Sequence, residues 1–225
     1  HLYIKRDDLI HPSISVNKWR KLYYNTTIAL QNQQTPLITF GGAYSNHIYA
    51  TAAACKLSNI PCIGIIRGDE LHPDASPTLQ FCQQQGMQLL FVSRSDYRLK
   101  EASKPVQALL EKYPTAFIVP EGGANEWGVK GMEEVVSEIN LQLESPPTCL
   151  AIAAGTGSSA AGLINTGIKT LVVATLKGGA FFQETIPAFT SLPKKDALRL
   201  LDLQTDYHFG GYGKYTDELL SFIRW

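Results

Sequence analysis

A short basic stretch near the start of the chain, Asn17-Lys18-Trp19-Arg20-Lys21, has residues that could do covalent chemistry. A lysine beside other cations has its ammonium form disfavoured, which lowers its pKa and leaves a free amine as a nucleophile. Lys18 is therefore a candidate for bonding a carbonyl compound. As plain structure, the same stretch is a solvated basic turn.

A glycine-rich segment, Gly155-Thr156-Gly157-Ser158-Ser159, follows an apolar run and opens a helical pattern. Backbone N–H groups and the positive end of the helix converge there, which predicts a phosphate site. Extended through Ala160, the segment also matches the dinucleotide fingerprint G-x-G-x-x-A, which leaves a nicotinamide enzyme as an alternative. That fingerprint needs an acidic residue about 20 positions further on, and Leu176-Lys177-Gly178-Gly179 supplies none, so we favour a lone phosphate. A turn that binds nothing is the plainest alternative.

A third segment, Gly41-Gly42-Ala43-Tyr44-Ser45-Asn46-His47, also joins a strand pattern to a helix pattern. Paired glycines let a ligand approach the backbone, and Ser45 and Asn46 place polar side chains at the helix start. As plain structure, Ser45 or Asn46 is an N-cap. His47 by itself is more often a structural histidine than a catalytic base.

The elements that must position these segments alternate along the chain from Pro36 onward, which indicates βαβ units around a parallel sheet. We expect an α/β protein with two lobes, each a mostly parallel twisted sheet flanked by helices. The large lobe comprises residues 1–34 and 120–225, and the small lobe residues 35–119. The predicted strands are 37–40, 62–66, 89–92, 116–119, 150–154 and 170–174, and the predicted helices are 46–57, 78–85, 105–112, 127–143, one from about 158, and 215–225.

The composition favours a small metabolite as partner over a macromolecule. The 20 Lys and Arg residues balance the 20 Asp and Glu residues without long runs of one sign, which argues against nucleic acid and anionic membrane surfaces. No apolar stretch approaches the roughly 20 residues that span a bilayer, so the cytoplasm is the expected location. The four cysteines contain no C-x-x-C pair, which favours free thiols, and we expect no metal ion.

Four motifs in order resemble the 1-aminocyclopropane-1-carboxylate (ACC) deaminase/D-cysteine desulfhydrase family. That family belongs to the tryptophan-synthase-β-like, fold type II enzymes that use pyridoxal 5'-phosphate (PLP). The resemblance runs through nearly the whole chain, and four ordered motifs are more specific than any one of them. They are Lys5-Arg6-Asp7-Asp8, Asn17-Lys18-x-Arg20-Lys21, Gly41-Gly42-x-x-Ser45-Asn46-His47 and Gly155-Thr156-Gly157-Ser158.

The resemblance implies PLP as the cofactor and assigns residues to hold it. Lys18 would carry the cofactor and, once released, move the α-proton of the substrate. Asn46 would hydrogen-bond the 3-oxygen of the cofactor. Lys21 would contact its phosphate, which the glycine-rich segment would hold through Gly155, Thr156, Gly157 and Ser158.

The resemblance also implies a lyase or deaminase that converts a small amino acid into an oxo acid and ammonia. Ser45, Asn46 and His47 would bind the substrate, and Ser45 would contact its carboxylate or act in proton transfer. His47 is closer to the desulfhydrase-like pattern than to the glutamine of ACC deaminases, so we expect D-cysteine, with sulfide as a further product. ACC is the alternative substrate, and a homodimer is expected by analogy.

Two alternatives from other classes stay open. The first is the nicotinamide-dependent oxidoreductase suggested by the fingerprint around Gly155. The second is an inactive homologue that binds a phosphorylated metabolite. It rests on the two ends, because the chain opens at His1 inside an extended pattern and closes at Trp225 inside a helical one, as if both were cut.

Overall fold

Two parallel sheets, one in each half of the chain, organise the fold. The computed structural model describes residues 1–14, 16–211 and 214–224. The chain divides into two compact units, residues 1–128 and 129–225. Each unit contains a parallel sheet with helices around it, so the predicted α/β class is confirmed.

The sheet of the first unit has four parallel strands: β1 (Leu37–Gly41), β2 (Cys62–Arg67), β3 (Gln88–Val92) and β4 (Phe117–Val119). Their order is β3-β2-β1-β4, so β1 is an inner strand, and all five of its residues are buried. A strand buried on both faces reads as a continuous apolar run, which is the pattern the sequence has there. Parallel pairing brings the carboxyl ends of the four strands to one edge, where ligands bind in such sheets.

Five helices surround this sheet, and a sixth, α6 (Glu126–Gln142), begins in the first unit. Of these, α2 has the bounds predicted from the sequence, whereas α1 and α4 are not indicated by the sequence pattern. The five are α1 (Asn17–Gln31), α2 (Asn46–Leu57), α3 (Pro77–Gln84), α4 (Arg94–Leu99) and α5 (Lys104–Lys112).

The N-terminal helix α1 packs on α2 within the first unit, through buried Ile14, Leu22 and Ala50. The two units divide the chain at residue 128, whereas the predicted lobes interleave along it. The assignment of residues 1–34 and 120–225 to one lobe stays a prediction.

The sheet of the second unit has three parallel strands in the order β5-β6-β7: β5 (Leu150–Ala154), β6 (Thr170–Ala174) and β7 (Leu201–Gln204). The sequence predicts the first two strands with their observed bounds, but not β7. After α6, the helices are α7 (Ser158–Asn165), α8 (Phe182–Phe189), α9 (Lys194–Leu200) and α10 (Asp217–Arg224).

Two of these helices bear on the sequence predictions. The helix expected over 215–225 is observed as α10, and residue 225 lies outside the described residues. Helix α7 lies close against α6, because a Cβ added to Gly162 would lie 2.5 Å from the carbonyl oxygen of Val129. Only glycine fits at that contact, so this position fixes the spacing of the two helices.

The cysteines are free thiols, and three of the four lie buried in the first unit. Within the described residues, none of the helices has the length and apolar character needed to cross a bilayer. The same part of the chain holds no group of three or more His, Cys, Asp or Glu residues arranged for a metal ion.

A reciprocal amide pair joins α1 to the start of α6. Asn125 donates from Nδ2 to Oδ1 of Asn25 over 2.7 Å, and Asn25 donates back to Oδ1 of Asn125 over 3.3 Å. The same Oδ1 atom of Asn125 accepts the N–H of Gly128 over 2.9 Å, in the first turn of α6. Asn25 is buried, so the pair satisfies polar groups that water does not reach.

A buried ion pair fixes the segment that leads into α1. Arg20 donates from Nε to Oδ2 of Asp7 over 2.6 Å and from Nη2 to Oδ1 over 2.8 Å. The side chains are only 3% and 11% exposed. The carbonyl of Asp7 also accepts the N–H of Val16, just before the helix, over 3.3 Å. Asp7 therefore holds both ends of the loop that precedes α1.

Removing the charge of Asp7 should destabilise the protein strongly. Asp7→Asn leaves the buried guanidinium of Arg20 uncompensated, and we expect the free energy of unfolding, measured by urea denaturation, to fall by about 3–5 kcal/mol. The matched control is Asp8→Asn, which breaks an exposed pair with Arg6 and should change stability little. Equal losses in the two variants would contradict this role of the buried pair.

Candidate active site

Lys18 lies in the first turn of α1 and is partly buried. Its Nζ atom donates to Oδ1 of the neighbouring Asn17 over 3.3 Å. Val16, two positions earlier, has a φ of 56°, a left-handed conformation that costs a β-branched residue about 1–3 kcal/mol. Burial lowers the pKa of Lys18 to about 8. About a tenth of its amine is then uncharged at pH 7, against fewer than ~1 in 1,000 for a lysine with the ordinary pKa.

The lowered pKa of Lys18 has a different cause from the one the sequence suggests. The sequence attributes it to neighbouring cations, but burial causes it. A neighbouring cation does affect Lys21. Its pKa is held well below the usual value by burial and then by the charge of Lys18. Positions three apart share a helix face, so the two amines belong to one site.

The alternative of a solvated basic turn is wrong. The stretch from Asn17 to Lys21 is helical, Arg20 is bound to Asp7, and Lys21 is 1% exposed. The ammonium of Lys21 donates to the carbonyl of Gly122 over 3.1 Å. That carbonyl lies in a 3-10 turn, Glu121–Gly123, directly after β4. The sequence offers no signal for this contact, which joins positions 101 residues apart.

The start of α2 supplies the second part of the site. Ser45 is the N-cap of α2, and its Oγ atom accepts the N–H of Ile48 over 3.3 Å. The N-cap prediction for Ser45 is therefore confirmed, and its catalytic role stays a prediction. Asn46, the first helical residue, is exposed. A Cβ on Gly41 would lie 2.3 Å from Cγ1 of Ile48, so glycine there allows the sharp approach of strand to helix.

His47 is buried at 3% exposure and hydrogen-bonds to the sheet. Its Nε2 atom lies 2.8 Å from Oγ1 of Thr39 on β1. Burial, and then the charges of Lys18 and Lys21, hold its pKa well below the usual value. The ring is therefore neutral, in keeping with the structural reading of this histidine, and substrate binding by His47 stays a prediction.

A cavity of about 460 Å³ opens beside Lys18 in the first unit. Its volume is in the range of small-molecule sites. Of the lining residues, the sequence predicts Lys18 and Asn46 as site residues, and Asn17 belongs to the motif around Lys18. Tyr49 and Ala50 could have been inferred, because both lie one helical turn after Asn46. The further lining residues are Pro12, Ser13, Val16, Tyr49, Ala50 and Thr78.

The glycine-rich segment lies in the second unit, where the predicted strand-loop-helix arrangement is confirmed. It follows β5 directly, and Ser158 is the first residue of α7. Gly157 has a φ of 87°, and a Cβ there would lie 3.0 Å from Cγ1 of Ile186. The hydroxyls of Thr156 and Ser158 are 3.3 Å apart. Backbone N–H groups at a helix start with two adjacent hydroxyls form a suitable phosphate cradle.

The residues present fit the cofactor that the resemblance implies. PLP requires an amine that gives up its proton readily near neutral pH, space for an aromatic ring, and an anion site for its phosphate. Lys18 and the adjoining cavity supply the first two in the first unit. The loop from Gly155 to Ser158 supplies an anion site in the second unit.

Comparison with known proteins gives a family and close relatives. A family model described as "Pyridoxal-phosphate dependent enzyme" matches residues 1–175. A "Putative 1-aminocyclopropane-1-carboxylate deaminase" from Pyrococcus horikoshii is 30% identical over 99% of this chain and 71% of the relative. A "Bifunctional D-cysteine desulfhydrase/1-aminocyclopropane-1-carboxylate deaminase, mitochondrial" from Arabidopsis thaliana is 32% identical over 72% of this chain and 44% of the relative.

A solved structure agrees with these relatives. The structure titled "Crystal Structure Analysis of the ACC deaminase homologue" aligns with 99% of this chain and 71% of its own chain. The TM-score is 0.78 at 29% sequence identity. The fold and the sequence therefore indicate the same relatives.

The pKa of Lys18 can be tested by its reactivity. Only an uncharged amine reacts with acetic anhydride, so acetylation of Lys18 should rise about tenfold per pH unit and level off above about pH 8. Nα-acetyl-lysine amide should level off near about pH 10.4. Peptide mass spectrometry of the cofactor-free protein gives the rate, and levelling at the same pH as the reference compound would contradict the lowered pKa.

Proposed function

This chain belongs to the pyridoxal-phosphate dependent enzyme family, and we propose that it is a lyase or deaminase that converts D-cysteine into an oxo acid, ammonia and sulfide. The family match confirms PLP as the cofactor and decides against the nicotinamide alternative. The observation that carries the proposal is Lys18, an amine with a pKa of about 8 beside a cavity of about 460 Å³.

Lys18 has the central role in the proposed reaction. When bound, PLP withdraws electrons from the α-carbon of an amino acid. Lys18 carries the cofactor, and its Nζ atom, once released, accepts the α-proton of the substrate. The lowered pKa suits this step, because a general base works best when its pKa lies near the working pH.

Three groups of residues hold the cofactor in this proposal. Asn46 is exposed at the start of α2 and lines the same cavity as Lys18, which suits a hydrogen bond to the 3-oxygen. Lys21 provides an amine donor for the phosphate, whose negative charge would favour the protonated form of the lysine. In the second unit, the loop of Gly155, Thr156, Gly157 and Ser158 provides N–H and hydroxyl donors that suit a phosphate.

The start of α2 is the proposed site for the substrate carboxylate. The first N–H groups of a helix have no partners within the helix, and they favour an anion. Ser45, Asn46 and His47 lie at this end. Since the ring of His47 is held by Thr39, its contribution to substrate binding is made by the backbone.

ACC is the second candidate substrate, and the names of the relatives support it equally well. The Pyrococcus horikoshii relative is named as a putative ACC deaminase, and the Arabidopsis thaliana relative is named for both activities. ACC has no α-hydrogen, so the α-proton transfer by Lys18 applies to D-cysteine alone. The cytoplasm as location and a homodimer as assembly are further proposals, the second by analogy alone.

Lys18 should be the residue that bonds the cofactor. Added PLP should give a visible absorbance band that borohydride removes, with a reduced adduct on the peptide that contains Lys18. Lys18→Ala should abolish both signals. Lys56→Ala, at an exposed lysine in α2, should retain them. An adduct confined to another lysine would refute the assignment.

The two substrates can be separated by their products. The protein with PLP should release sulfide and ammonia from D-cysteine, and Lys18→Ala should release neither. With ACC, deamination gives ammonia without sulfide. Turnover of ACC alone would replace D-cysteine by ACC, and bound PLP without turnover of either would favour the inactive metabolite-binding homologue.

A further inference from the structure

Thr39 makes two hydrogen bonds that fix the state of a buried histidine. Its Oγ1 atom donates to the carbonyl of Val119 on β4 over 2.8 Å and lies 2.8 Å from Nε2 of His47 on α2. A threonine hydroxyl has one proton and two lone pairs. Because the proton is used by the Val119 carbonyl, Nε2 of His47 must be the donor to Thr39. His47 is therefore the Nε2–H tautomer, and its Nδ1 atom carries a lone pair.

The Nδ1 atom of His47 is buried and has no hydrogen-bond partner within the part of the chain that the structure describes. A buried acceptor in this state normally has a donor nearby, or a bound water molecule that bridges to one. The same ring is affected electrostatically by two cations of α1, Lys18 and Lys21. The charges that act on His47 are thus those of Lys18 and Lys21, and its side-chain hydrogen bond is to Thr39.

Gly123 places the Lys21 side chain near the ring of His47. A Cβ added to Gly123 would lie 3.4 Å from both Cβ and Cδ of Lys21 and 3.6 Å from Cε1 of His47. The Lys21 side chain and the Cε1 edge of the ring, which lies between the two ring nitrogens, therefore border the same space beside Gly123. The ammonium of Lys21 donates to the adjacent Gly122 carbonyl. An ammonium has three N–H donors, and this contact uses one of them.

We propose that His47 is a positioning residue for Lys21: its Nδ1 atom accepts a hydrogen bond from a water molecule that in turn accepts one from the Lys21 ammonium, and Thr39 selects the tautomer. A neutral acceptor at this point supports the charged form of a lysine that burial disfavours. The water bridge rests on the buried lone pair of Nδ1 and on the position of Lys21 beside the same edge of the ring. Its use, to keep a positive charge ready for the cofactor phosphate, rests on the proposed function.

The tautomer can be measured on the cofactor-free protein. In ¹⁵N-histidine-labelled protein, long-range ¹H–¹⁵N spectra distinguish a protonated nitrogen from one with a lone pair, and His47→Gln identifies the His47 signals by their loss. We expect a single Nε2–H tautomer at neutral pH. Thr39→Val should abolish this preference and Thr39→Ser should retain it. A protonated Nδ1 atom in the unchanged protein would overturn the inference.

The link to Lys21 needs a separate comparison of the two lysines. Lys21→Met keeps the length of the side chain and removes the donor, so we expect the Nδ1 resonance of His47 to shift clearly. Lys18→Met removes the other nearby charge and serves as the matched control, with a smaller shift expected. Equal shifts would mean that only the electrostatic field acts, and would refute the hydrogen bond. Backbone amide spectra of each variant verify the fold.

The use of the hydrogen bond is tested by PLP affinity. His47→Leu removes the acceptor, and we expect PLP to bind about tenfold more weakly. His47→Gln should retain the affinity, because its amide can donate to Thr39 and accept from the water molecule that bridges to Lys21. Unchanged affinity in His47→Leu would refute the link to the cofactor. No PLP binding by the unchanged protein would instead refute the proposed function, and the tautomer result would still stand.

Discussion

The burial of two lysines on one face of α1 is the constraint on which the first unit depends. A buried ammonium is costly, and Lys18 and Lys21 also lie near the positive end of their helix, where a further cation is unfavourable. Carbonyl and amide oxygens from Gly122 and Asn17 accept hydrogen bonds from the two ammonium groups. The third cation, Arg20, is instead neutralised by Asp7. The helix therefore carries one charge that an ion pair stabilises and two lysines whose charged forms are disfavoured. Burial disfavours the charged forms of Lys18 and Lys21. Their amines are therefore available, one as a nucleophile and the other as a ligand for a phosphate.

Local chemistry explains which parts of the fold the sequence could predict. The bounds of α2 follow from paired glycines and an N-cap serine, and those of β5 and β6 from apolar runs with clear ends. Helix α1 is missed because its buried face includes polar residues such as Asn25 and Thr26, which break the apolar period. Strand β7 is missed because its four residues, Leu201–Gln204, follow α9 directly without a turn signal.

The site divides in the same way. Ser45 and the loop of Gly155 to Ser158 could be located because each is defined by its immediate neighbours in the chain. The partners of His47 and Lys21 could not, because they come from strands and turns far along the sequence: Val119 lies 80 positions after Thr39, and Gly122 lies 101 positions after Lys21. For Lys18 the direction of the pKa shift was correct and its cause was wrong. Burial is set by the packing of α1, which a short motif does not encode.

The reciprocal amide pair of Asn25 and Asn125 has a consequence for how such a sequence can evolve. Each side chain is both donor and acceptor for the other, and Asn125 also caps α6. Replacing one amide leaves buried polar groups of its partner without a match, and replacing both by apolar groups also removes the cap on Gly128 and the donor to the Lys21 carbonyl. The two positions, 100 residues apart, therefore constrain each other, and a change at one alters which residues the other tolerates.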